Sequence, residues 1–354
     1  MDEPVLTIDQ VSKQFGHFQA LDQVSFTVER GDIYGLIGEN GAGKTTLMRL
    51  ITGLSPMQAG TITLLGERAG HYQRALSRVG AIIESPAAFE KLTVTQNLRL
   101  CAIQHGINDQ QVIAETIDFV GLQEKRTTRV KHLSLGQRQR LGLALAILPR
   151  PDFLILDEPI NGLDPAGIME FRRLLKLLNE ERKTTILVSS HILSELYQVS
   201  TRFGIIHQGQ MIKQLSKTEL DQANQSGLAI TVDQATLAAQ VLDQHGYQPF
   251  DVLDDQHLLL RQKDVDAAAV NQLLVTSGVS VQDVSHQAGS LEQFYMRLLG
   301  QTEKRRDKHD ESNSRRFLSP APYTRHVSHC TCNHCLCCLV CHEQECRRYD
   351  AKRG

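Results

Sequence analysis

The clearest chemistry in the sequence lies in nine consecutive residues, Gly38-Glu39-Asn40-Gly41-Ala42-Gly43-Lys44-Thr45-Thr46. Two glycines separated by four residues, then Lys and a hydroxyl residue, fit a phosphate-binding loop. Small residues let consecutive backbone N–H groups curl around phosphate oxygens. Lys44 would set a point charge on the β- and γ-phosphates, and Thr45 would offer its hydroxyl to Mg²⁺. A second set follows at Asp157-Glu158-Pro159, where two adjacent carboxylates end an apolar run. Asp157 fits the acid that holds Mg²⁺ beside such a loop. Glu158 would then orient and deprotonate a water for attack on the γ-phosphate.

These residues need elements to hold them. Ile33-Tyr34-Gly35-Leu36-Ile37 reads as a short buried strand feeding the loop, and Leu47, Leu50, Ile51 and Leu54 recur at helical spacing after it. The loop thus opens a helix whose N-terminus faces the anion. Phe153-Leu154-Ile155-Leu156 is continuous and apolar, as a parallel strand covered on both faces must be. Its carboxylates lie at the C-terminal end, where open α/β sheets bind ligands. A second such strand, residues 185–188, leads into Ser189-Ser190-His191. His191 there serves either as a γ-phosphate contact or as an ordinary satisfied or exposed histidine.

Around this core the sequence predicts further pieces. Residues 5–8, 24–28 and 61–64 alternate like strands of a small antiparallel sheet. Phe15 sits between the first two, either as core or as a ligand platform. Residues 91–132 carry helical apolar spacing. Leu133-Ser134-Leu135-Gly136-Gln137 then leads into an apolar helix at 141–148, with Ser134 as its N-cap and a second helix-start anion site. A hairpin across a glycine turn spans 203–212.

Bulk properties bound the rest. A chain of 354 residues suggests two or three domains, and 41% hydrophobic content allows a full core. A net charge of −2 gives no electrostatic case for nucleic acid or an anionic membrane surface. No apolar run approaches the roughly eighteen residues of a membrane span, and the acidic N-terminus does not read as a signal peptide. A soluble, cytosolic protein is the expectation.

The phosphate loop, residues 133–137, Asp157-Glu158, residues 161–164 and His191, in that order, resemble the ATP-binding cassette (ABC) ATPases over about residues 4–220. The resemblance implies an α/β fold: a P-loop NTPase cassette at 1–220 with a parallel-sheet core, an antiparallel β subdomain and a helical subdomain at about 85–150. It implies that ATP binds on Phe15, Gly38, Asn40, Gly41, Ala42, Gly43, Lys44, Thr45 and Thr46. Phe15 would stack on adenine, and Glu158 and His191 would act in catalysis. Thr45, Asp157 and Glu84 would face Mg²⁺. Ser134, Gly136, Gln137 and Asp164 would complete the ATP site of a second copy, since cassettes of this family dimerise head to tail. A separate membrane permease is the other implied partner, with the chain cytoplasmic and peripheral on the inner face of the membrane.

Two departures from the family pattern stand out. Leu135 replaces the commoner glycine, which leaves Ser134 and Gly136 in place. Glu84 stands where most members have glutamine, and an extra carboxylate there should tighten Mg²⁺ binding and alter coupling to the permease. With Asn161 and the form of residues 133–137, Glu84 makes the chain similar to the ATPase subunits of bacitracin-type and lantibiotic self-protection exporters. Non-transport ATPases of the superfamily are disfavoured by the single cassette and the absence of a long insertion. A non-hydrolysing nucleotide-binding regulator is disfavoured by the presence of Lys44, Glu158 and His191.

Residues 227–300 alternate strand-like and helix-like runs and resemble the accessory α/β domain of such ATPases: strands at 228–232, 258–260 and 279–281, helices at 234–245, 265–277 and 290–299. The tail at 301–354 is different in kind. It holds 11 Lys/Arg against 7 Asp/Glu, and seven of the eight cysteines fall between Cys330 and Cys346. Its Cys and His could bind zinc, but no long loop separates the two-residue-spaced cysteine pairs. A frame change near the end of the gene would equally produce such a segment. No function is assigned to it.

Overall fold

A computed structural model describes residues 4–299, apart from 69–70, 224–226, 262–264, 288–290, 292–293 and 297. The tail at 301–354 therefore lies outside the described residues, and the readings of it above stay as expectations.

The elements run in order: β1 (Leu6–Phe15), β2 (Phe18–Val28), β3 (Ile33–Ile37), α1 (Lys44–Ile51), β4 (Ala59–Leu64), α2 (Tyr72–Leu76), β5 (Val79–Ile82), α3 (Val94–Gln104), α4 (Gln110–Phe119), α5 (Leu135–Ile147), β6 (Phe153–Leu156), α6 (Pro165–Arg182), β7 (Thr185–Ser190), α7 (Leu193–Tyr197), β8 (Arg202–His207), β9 (Gln210–Ser216) and α8 (Lys217–Ala223). A six-stranded sheet in the order β5-β6-β7-β3-β8-β9 forms the centre, parallel except for the β8–β9 hairpin. β3, β6 and β7 are buried along their whole length, which is why they read as unbroken apolar runs. An antiparallel sheet, β2-β1-β4, packs beside it, so the three strand-like runs of residues 5–64 do pair as expected.

Two apolar clusters divide this region. One joins β1, β2 and β4 to β3, α1 and one face of the central sheet, through Val11, Val24, Leu47, Met48 and Ile155. The other joins the opposite face to α3, α4, α5 and α6, through Leu98, Ile117, Leu141, Leu156 and Phe171. The helical stretch expected at 91–132 is broken, because Gly106 and Gly121 take positive φ and end α3 and α4.

The accessory region adds β10 (Gly227–Val232), α9 (Ala235–Gln244), β11 (Phe250–Val252), β12 (His257–Leu260), α10 (Ala267–Thr276) and β13 (Val281–Gln287). Its sheet order, β11-β12-β10-β13, with every neighbouring pair antiparallel, is the split βαβ arrangement of ferredoxin-like modules. The last strand starts later than the run at 279–281 predicts. Gly278 has φ 86°, and the Val279 N–H closes onto the Leu274 carbonyl, so residues 278–279 terminate α10 first. β11 was missed in the sequence because three residues with alternating polarity carry no usable period. Of the helix expected at 290–299, positions 291, 294–296 and 298–299 are described, and all are helical.

Candidate nucleotide site

β3 delivers the chain to the phosphate loop at the C-terminal edge of the central sheet. Gly43 adopts φ 105°, and a Cβ there would lie 2.7 Å from the Ala20 carbonyl oxygen. A Cβ on Gly38 would lie 2.5 Å from the Ile206 carbonyl oxygen, so the loop is pressed against β8 at its start. Only glycine fits either position. Gly43 also begins α1 with no side-chain cap, which leaves the helix's first N–H groups free for an anion. Asn40 and Gly41 form the exposed tip, while Ala42 is buried and Thr46 half-buried.

Lys44 is the first residue of α1, and only 5% of its side chain is exposed. Its Nζ donates to the Gly38 carbonyl at 2.6 Å and the Glu39 carbonyl at 3.1 Å, and lies 3.1 Å from Glu158 Oε1. The other oxygen of Glu158 sits 2.9 Å from His191 Nδ1. The chain thus brings together three residues, from the start of α1 and from just past β6 and β7, that sequence reasoning had named separately. His191 is a partner of Glu158, not an unattached exposed histidine. Glu158 holds this place with φ 47°, a conformation that non-glycine side chains avoid and that concentrates at functional sites.

Thr45 Oγ1 donates to Asp157 Oδ2 at 2.7 Å, and Asp157 is 3% exposed. Ser189 Oγ donates to the other Asp157 oxygen at 2.7 Å and accepts the Glu158 N–H at 2.9 Å. Ser189 is the residue beside these carboxylates that the sequence reading left without a role. Its only signal was its place two residues before His191 at a strand end. A hydroxyl and a buried carboxylate side by side are hard oxygen donors of the kind Mg²⁺ takes. Among the described residues no group of three or more His, Cys, Asp or Glu is placed to hold a metal ion. One hydroxyl and one carboxylate suit an ion that completes its shell with phosphate oxygens and water.

Glu84 is placed differently. Its carboxylate accepts from Arg49 Nη2 at 2.6 Å, with both side chains about half exposed. Phe15 is 52% exposed near the β1–β2 turn, so it is not core. Lys13 Nζ lies 5.2 Å from the ring centroid.

The remaining predicted residues gather elsewhere. Ser134 caps α5, accepting the Gln137 N–H at 3.3 Å while Gln137 Oε1 accepts the Ser134 N–H at 3.1 Å. Asp164 caps α6 by accepting the Gly167 N–H at 3.2 Å, with Pro165 at the first helical position. Between the two helix starts is a depression of about 400 Å³, lined by Ser134, Leu135, Gly136, Gly162 and Asp164 among others. No hydrogen bond or ion pair among the described residues links this set to Lys44, Asp157 or Glu158.

Residues 21–161 fit the family described as ABC transporter. The bacitracin transport ATP-binding protein BcrA of Bacillus licheniformis is 36% identical over 298 residues, covering 84% of this chain and 97% of that protein. The lantibiotic transport ATP-binding protein SrtF of Streptococcus pyogenes is 37% identical over 208 residues, covering 59% of this chain and 89% of its own length. A solved ATP-binding subunit of an ABC transporter superposes with a TM-score of 0.55 at 30% identity, covering 62% of this chain and 92% of that one. A dimeric cassette holding ADP and Pi shares the fold with a TM-score of 0.55 at 21% identity. Among the described residues no helix is long and apolar enough to cross a membrane. With the loop, its strand-end carboxylates and near full-length relatives all in agreement, the chain belongs to the ATP-binding proteins of ABC transporters.

Proposed function

We propose that this chain is the ATP-hydrolysing subunit of an exporter, acting on a separate membrane permease that carries an antimicrobial peptide or antibiotic. The observation that supports it most is the meeting of Lys44, Glu158 and His191 at one point beside the Thr45–Asp157 pair. Lys44 would place its charge on the phosphates, which would leave the Glu158 carboxylate free to accept a proton from water. His191 holds that carboxylate from its other side and limits its rotation. Thr45 and Asp157 are the residues that would hold Mg²⁺, which when bound neutralises charge on the phosphates. Ser189 fixes the Asp157 carboxylate and the Glu158 backbone together, so the two acids keep their relative position.

The half-site at Ser134, Gly136, Gln137 and Asp164 has no nucleotide loop of its own, which favours a head-to-tail pair of cassettes with each ATP shared. The names of the bacitracin and lantibiotic relatives support the class of cargo. Nucleotide binding and turnover in the Lys44→Ala variant test the reading. Loss of ATP binding, with the unfolding temperature within a few degrees of wild type, is the expected result. Unchanged affinity would show that the loop does not hold the phosphates.

A further inference from the structure

The half-site at Ser134 and Asp164 is built on two helix starts with few side chains to pack. The first turn of α5 is Leu135-Gly136-Gln137, and that of α6 is Pro165-Ala166-Gly167. Glycine brings no side chain to a contact. Burial within the helices begins beyond those turns, at Gln139 in α5 and at Phe171 in α6.

An ion pair stands at that border. Arg140 Nη1 donates to Glu170 Oε1 at 2.7 Å, with Arg140 19% and Glu170 46% exposed. The same nitrogen donates to the Gly121 carbonyl at 3.3 Å. Arg140 follows Gly136 by four residues, and Glu170 follows Ala166 by four, so each partner shares a face with the first turn of its own helix. Both line the depression that Ser134, Gly136 and Asp164 line. Gly121, which follows α4 with φ 66°, lets the pair close on bare backbone. A Cβ there would lie 3.1 Å from Arg140 Nη1 and 3.2 Å from Glu170 Oε1.

We infer that Arg140 and Glu170 are positioning residues for the second half-site, their pair fixing the spacing of Ser134 and Gly136 from Asp164. The inference rests on reading that half-site as one side of an ATP site shared between two copies. Arg140 suits the task because a planar guanidinium takes a carboxylate and a carbonyl at set angles, which a lysine ammonium does not. The helices themselves do not depend on the pair. Leu141, Ala144, Phe171 and Leu174 already bury them in one apolar cluster. Loss of the pair therefore loosens the two starts and leaves the packing beneath them.

The test uses full-length Glu158→Gln protein, alone and with Glu170→Ala or Glu170→Gln added. Dimerisation with ATP and Mg²⁺ is read by light scattering across protein concentration. ATP affinity of the dilute monomer and the nucleotide-free unfolding temperature are read alongside. Glu170→Ala should weaken the dimer about threefold per site, hence about tenfold for two sites. Glu170→Gln should recover part of that, since its amide oxygen still accepts from Arg140. Monomer ATP affinity should stay unchanged, with the unfolding temperature within about 2 °C of the parent. An unchanged dimerisation constant overturns the inference. So does a fall in unfolding temperature and monomer ATP affinity large enough to account for the weaker dimer, which would make the pair an ordinary packing contact. If Glu158→Gln alone stays monomeric with ATP, the shared-site reading fails and the inference falls with it. A dimeric parent matched by an equally dimeric Glu170→Ala rejects the inference alone.

Discussion

Glu158→Gln is expected to destabilise the empty protein and tighten its grip on ATP. The Lys44 ammonium, 5% exposed, lies 3.1 Å from Glu158 Oε1. At an effective dielectric of about 20, a pair at this separation attracts with about 5 kcal/mol before desolvation. Most of that is offset, because Glu158 is 21% exposed and Lys44 keeps the Gly38 and Glu39 carbonyls. About 1–2 kcal/mol is the resulting net loss, and the amide retains the shape. In a domain of this size that lowers the unfolding temperature by roughly 2–6 °C. With a triphosphate bound, Lys44 has a new partner and Glu158 faces negative charge, so the same substitution removes a competitor. Affinity for a non-hydrolysable ATP analogue should rise about 5- to 30-fold, the same 1–2 kcal/mol seen from the other side. Thermal unfolding without nucleotide and analogue titration of dilute protein measure the two halves of this cycle. An unchanged unfolding temperature together with unchanged or weaker binding would refute the competition between Glu158 and the γ-phosphate.

Two further outcomes follow from exposure. Phe15→Ala should weaken ATP binding by about 1–3 kcal/mol, the usual worth of a base stacked on an aromatic ring. It should barely change the unfolding temperature, because the ring is half exposed. Equal affinity in a titration would remove Phe15 from the site. The Cys101 thiol is raised by burial from 9.0 to about 11 and lies 3.6 Å from the Leu145 carbonyl oxygen. A rise of two units cuts its thiolate fraction near neutral pH about 100-fold. Alkylation at pH 7.5, read at Cys101 by peptide mass spectrometry, should be slower than a model peptide thiol by that order. Modification at the peptide rate would mean that α3 opens readily.

The parts of the site legible in the sequence were those whose constraints are local. The loop needs glycine where a Cβ would strike Ala20 or Ile206, and Ser134 needs Gln137 three residues on to close its capping box. Asp157 and Glu158 announce themselves by ending a wholly buried strand. What the sequence could not give were contacts between distant segments. Ser189 bridges Asp157 and the Glu158 backbone across 32 and 31 residues, and Arg49 takes Glu84 across 35. Phe15 shows the limit from the other side: a lone aromatic between two strands has the composition of core, and only the hairpin geometry leaves it exposed. In the accessory module, the alternation of strands and helices was readable, but Gly278 delays the last strand and β11 is too short to show a period.

The central claim is that ATP is shared between two copies, with the loop of one facing Ser134, Gly136 and Asp164 of the other. Light scattering coupled to gel filtration of Glu158→Gln, with and without ATP, tests it most directly. A dimer that forms only with ATP, and is lost again when Ser134→Arg is added to place bulk at the second half-site, is the expected result. A protein that binds ATP yet stays monomeric at every concentration, or a dimer indifferent to both ATP and Ser134→Arg, would contradict the shared site.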